Sequence, residues 1–185
     1  MKRLFLCLLM AAMMQTIHAQ CANCAQCEKM ENAERCDSVV KASGHVAFCC
    51  LQKILEQKTS PKVVELLKSW NYETVLGGGN TGTYKFGNVE YNGNWAFYPD
   101  ETWAGINYTV TANGVTSIKW MFSSKECYEK FLQDAEAAKG WVKENASNTG
   151  QSFQTTFRNG TREFITVDAL NNGLYSIVYQ VYALL

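Results

Sequence analysis

An excess of positive charge is the first thing this sequence lacks. Its 17 lysines and arginines are met by 17 aspartates and glutamates. With no basic patch or arginine-rich arm in view, nucleic acid and anionic membrane surfaces drop out as partners. Histidine is scarce too, at 2 residues, and only His45 lies beyond the first nineteen positions. No G-x-S-x-G elbow accompanies it. Asp100 and Glu101 sit at a turn after Pro99 with no second acid placed across a cleft. His45 and Cys49 stand four apart on one helix face, yet the structural thiols around them argue against a dedicated nucleophile. The chain is therefore expected to be non-enzymatic and to need no cofactor.

The apolar run Leu4 to Met14 is too short for the roughly 20 residues that span a bilayer. Preceded by Lys2 and Arg3 and followed by the polar turn QTIHAQ, it reads as a secretory signal peptide over residues 1–19, cut after Ala19. Gln20 is a poor residue to precede an acylated Cys21, so lipidation is the minor alternative. The mature protein then carries two more acidic than basic residues. It is expected in the periplasm or the medium, with no integral membrane segment after cleavage.

Of the 8 cysteines, Cys7 leaves with the leader, and an odd number stays. In an oxidising compartment Cys21, Cys24, Cys27, Cys36, Cys49 and Cys50 are expected to form disulfide staples, each bridge adding typically 2–4 kcal/mol. Cys49 and Cys50 point about 100° apart on a helix, so each reaches a different partner. A zinc or copper site built from Cys24, Cys27, Cys36 and His45 is the alternative, and it would make the protein a metal-binding or redox protein. An iron–sulfur cluster fits poorly, because Cys36 comes too late and Asp37 follows it. Cys127 stands alone on its helix, where a small buried apolar residue is the simpler reading and an intermolecular bridge the sharper one.

The chain changes grammar near its middle. Residues 20–58 read as a short Cys-rich helical segment, and TSPKVVELLKSW adds an amphipathic helix with Ser60 as N-cap and Pro61 at its first position. LGGGNTGT, residues 76–83, lacks Walker A spacing and is expected to be a flexible entry into the first strand. Beyond it, Asn-Gly recurs at 92–93, 113–114, 159–160 and 172–173 between β-rich runs, the strongest short-range signal for hairpins. Strands are expected over 83–91, 94–98, 105–111, 115–122, 152–158, 161–168 and 174–182. SSKECYEKFLQDAEAAKGW supplies a crossing helix that opens on a Ser123–Glu126 capping box. The fold class is α+β, an antiparallel β-sheet of hairpins with a crossing helix over residues 59–185, preceded by the Cys-rich helical segment.

The succession KSWNYE, GNVEYNGNWAFYP, YTVTANGVTSIKWMF and SSKECYEKFLQDAEAAKGW resembles small exported α+β modules of Bacteroidetes-type bacteria, similar in layout to β-lactamase-inhibitor-like domains. The resemblance covers residues 60–185 and implies an envelope or binding protein without catalytic residues. Aromatic residues crowd the segment 94–105. Trp95 and Phe97 are expected in the core, while Tyr98 and Trp103, beside a turn, are the expected exposed anchors for a protein or glycan partner.

Overall fold

The computed structural model describes residues 37, 40, 41, 44, 47–97 and 103–182. Helices α1 (Phe48–Leu55) and α2 (Ser60–Ser69) precede strands β1 (Glu73–Gly78) and β2 (Thr81–Phe86) and a small hairpin of β3 (Val89–Tyr91) and β4 (Trp95–Phe97). Strands β5 (Ala104–Thr111) and β6 (Gly114–Phe122) follow, then helix α3 (Lys125–Ala137), then β7 (Trp141–Asn148), β8 (Ser152–Asn159), β9 (Glu163–Leu170) and β10 (Tyr175–Val181). Eight strands form one antiparallel sheet in the order β1-β2-β5-β6-β10-β9-β8-β7. The α+β class expected from the sequence is therefore the class observed.

Strand alternation decides which face of this sheet is buried. The cross-strand row Tyr84, Ile106, Trp120, Ile177 and Val167 is buried throughout, as is the row Tyr108, Ile118, Tyr179, Ile165 and Phe157. The three helices cover that face: Leu51 and Ile54 of α1, Val63 and Leu67 of α2 and Phe131 of α3 complete a single core with it. Helix α1, assigned by sequence to the Cys-rich segment, thus shares its packing with the sheet. Helix α3 has 13 residues, about 20 Å at 1.5 Å per residue. That length matches the four strand spacings, about 19 Å, that separate β6 from β7 along the sheet order.

The helix starts differ by one residue from the sequence reading. Thr59 occupies the N-cap of α2, and the Ser60 hydroxyl is hydrogen-bonded with Tyr108 Oη at 3.0 Å, tying α2 to β5. On α3 the cap is Ser124, whose side chain accepts from the Cys127 amide at 3.2 Å. LGGGNTGT is no linker: β1 and β2 pair from Glu73↔Lys85 to Gly78↔Thr81, and Gly79, at φ 59, turns the chain between them. Strands β1 and β7 escape the periodicity reading because they are the sheet's edges and are exposed along nearly their whole length. Among the described residues no helix is long and apolar enough to cross a membrane.

Polar ties fasten the N-terminal residues to this core. Asp37 Oδ1 accepts from Lys53 Nζ and from Trp70 Nε1, each at 2.9 Å. Burial alone would raise this carboxyl, but the two hydrogen bonds and the charges of Lys53 and Lys41 together hold it below the usual carboxylate value. Tyr72 donates to the Gly44 carbonyl and accepts from Trp120 Nε1 at 2.9 Å. Burial pushes the Tyr72 phenol far above its ordinary value, and burial with the Glu163 carboxylate beside it does the same to Tyr179.

The pH dependence follows from those directions. An unfolded tyrosine ionises near 10, whereas Tyr72 and Tyr179 do so in the fold only at higher pH, so their contribution is whole below about pH 10 and declines as pH rises beyond it. A spectrophotometric alkaline titration should show only part of the 9 tyrosines ionising near pH 10, the rest appearing together with loss of the circular dichroism signal. Ionisation of all of them near pH 10 with the fold unchanged would contradict the burial of these two phenols.

Candidate functional site

Among the described residues the helices leave the other face of the sheet open, and this face carries the side chains out of phase with the core. On β9, Ile165 and Val167 point inward, so Phe164 and Thr166 point outward; on β10 the same logic sends Val178, Gln180 and Tyr182 outward. Phe164 and Tyr182 meet edge to face with centroids 5.2 Å apart. Tyr182 Oη donates to Gln180 Oε1 at 3.1 Å, and its ring is 55% exposed. Together with Thr156 of β8 and Thr161, these residues line a depression of about 480 Å³. None of the lining residues is charged.

Charged groups stand around the depression and are mostly paired. Arg158, opposite Phe164 in the β8–β9 ladder, bonds Glu144 on β7 and the Gly160 carbonyl. Asp168 accepts from Gln154 at 2.9 Å and from Ser176 at 3.2 Å, a ladder of three residues directly opposite one another. These contacts hold β7 to β10 in register from the open side. Among the described residues, the apolar surface near this depression is Phe164, Tyr182, Val178 and, at the edge, the exposed Val142; Leu76 is exposed at the opposite edge of the sheet.

One corner of the open face is covered by the β3–β4 hairpin. Val89, Trp103 and Leu174 form a satellite core there, with Trp95, Met121 and Leu170 packed against it. Trp95 lies on Gly105 of β5, where an added Cβ would come within 2.4 Å of its ring, and its indole N–H is buried without a hydrogen-bond partner. Trp103 is 0% exposed. The sequence reading of Trp103 as an exposed anchor is corrected: proximity to a turn suggested solvent, but the hairpin folds back over it. Tyr98, the other expected anchor, lies outside the described residues, as do Cys21, Cys24, Cys27, Cys36 and His45. Cys50 is buried on α1, Cys49 is half-buried beside it, and Cys127 is buried on α3. Among the described residues no three histidines, cysteines or carboxylates are grouped to hold a metal ion.

The sequence contained the signal for Phe164 and Tyr182. An aromatic residue out of phase with the buried positions of an alternating strand must face the other way. Counting inward aromatics alone missed both. Comparison with known proteins adds no template: no family model, curated protein or solved structure matches the chain.

Proposed function

We propose that this is an exported, non-catalytic binding protein of the envelope or the medium whose open sheet face takes an uncharged glycan. One observation carries the reading: an aromatic pair, the half-buried Phe164 and the exposed Tyr182, beside a shallow depression lined by threonine hydroxyls and the Gln180 amide, without charge. A pyranose presents an apolar face and a rim of hydroxyls. The first suits an aromatic ring, and the second suits neutral donors and acceptors. A protein partner fits less well, since a stable interface of about 1,600 Å² wants an apolar centre with several anchors, and here the exposed large apolar side chains Leu76, Val142 and Tyr182 lie apart across the sheet.

Export through the leader 1–19, and kinship with the Bacteroidetes-type modules, belong to the same reading. So do disulfide staples, with Cys49 and Cys127 as cystine halves. Cys127 then contributes a covalent tie as well as the buried apolar volume expected of it. The test is an array of neutral and anionic glycans probed with the mature protein and with the double variant Phe164→Ala/Tyr182→Ala. Retention of neutral glycans, weakened at least about tenfold in a double variant that melts normally, is the expected result; tenfold corresponds to about 1.4 kcal/mol. An array that retains only anionic glycans or none, or retention unchanged in the variant, removes the proposal.

A further inference from the structure

We infer that the open face binds a linear uncharged glycan laid across the strands, engaging several sugar rings at once; this rests on the glycan reading above. A second depression, of about 520 Å³, opens on the same sheet at its opposite end, between β1, β2 and β5. Its chemistry repeats that of the first. Thr81, Thr83 and Thr109 supply hydroxyls, Asn107 an amide and Leu76 an apolar wall, again with no charge in the lining. Asn107 Nδ2 donates to Thr83 Oγ1 at 2.8 Å. That bond engages one of the two amide hydrogens and fixes the group, leaving its carbonyl oxygen and other hydrogen for a ligand hydroxyl.

The ladders connect the two depressions. Thr83, Asn107, Lys119, Val178, Thr166 and Thr156 stand directly opposite one another on β2, β5, β6, β10, β9 and β8. Four strand spacings separate Thr83 from Thr166, about 19 Å at roughly 4.8 Å each. A single sugar ring can fill only one depression, whereas a linear chain along this row reaches both. Lys119, exposed between them, offers donors to the hydroxyls of the connecting rings. The direction is set as well. Trp95 on Gly105, with Met121 and Leu170 beside it, stands next to the row as a wall, so a chain lying along the strands is blocked at that end.

The experiment is calorimetric titration of the mature protein with linear α-1,4- and β-1,4-linked glucose oligomers, from the disaccharide to the hexasaccharide. Affinity should rise at least about tenfold with length before levelling. Asn107→Ala and Lys119→Ala, each checked for an unchanged melting curve, should flatten that rise. Phe164→Ala should weaken every length alike. Disaccharide binding with no gain on lengthening, or a gain untouched by both Asn107→Ala and Lys119→Ala, overturns this inference and leaves the glycan reading standing. No binding at any length, together with an empty glycan array, overturns both.

Discussion

Trp120→Ala is expected to lower stability by about 3–5 kcal/mol, the range for deleting a fully buried large aromatic side chain. Trp120 is 0% exposed and lies on β6, one of the two central strands. Its ring meets that of Tyr72 edge to face at 6.1 Å, and its indole N–H donates to Tyr72 Oη at 2.9 Å. Alanine removes the volume and also a donor that the buried Tyr72 oxygen cannot recover from solvent. Set against total stabilities of about 5–15 kcal/mol, the loss is severe, and at roughly 2–4 °C per kcal/mol the melting point falls by about 6–20 °C. Trp120→Phe keeps most of the packing, gives up the hydrogen bond and should cost clearly less. Denaturant unfolding of the two variants separates the contributions. An alanine variant within about 1 kcal/mol of wild type would mean that β6 does not carry the core in this way.

Gly105→Val should release the β3–β4 hairpin while the eight-stranded sheet persists. A Cβ at position 105 would lie 2.4 Å from the Trp95 ring, and an indole seated in a satellite core cannot yield as a flexible side-chain end does. Valine and Trp95 exclude each other. The hairpin has 3 residues in each strand, and an isolated two-stranded hairpin is marginal at best, so without Trp95 it has little to hold it. Its departure exposes Val89, Trp103 and Leu174. Overpacking of this kind costs about 1–3 kcal/mol. Hydrogen exchange read by mass spectrometry should show the 89–97 amides losing protection while those of β5, β6 and β10 keep theirs. Protection of 89–97 equal to wild type would show that Trp95 is not what seats the hairpin.

The legible parts of the fold were those where burial imposes a period or a turn imposes a residue type. All four Asn-Gly pairs fall in hairpin connections or at their ends, and β5, β6, β8, β9 and β10 lie close to the expected spans. The expected helix between β6 and β7 is present as α3. Strands β1 and β7 were illegible because an exposed edge has no face to keep apolar, and the glycines of β1 imitate a linker. Trp103 misled for another reason: its burial depends on a non-local hairpin, which no window of sequence around a turn reveals. The open face was only half legible. Its residues follow from the phase of the strands, but that Phe164 and Tyr182 meet is a matter of cross-strand register, and register is set by pairings far apart in the chain.

The strand order has a consequence for how the molecule is assembled in time. Each half of the sheet is a run of neighbours, β1-β2-β5-β6 on one side and β7 to β10 on the other, and they are joined only where β10 meets β6. Strand β10 follows the other nine in sequence, so during synthesis the centre of the sheet stays open until nearly all of the described chain has been made. Closing that gap means forming a pairing whose partners lie more than fifty residues apart, a slow, non-local event. Until then the apolar rows of both halves remain uncovered at the middle. A chain of this design locks in one late step. A nascent product that stops short of Tyr175 is left with two unjoined half-sheets and sticky inner edges.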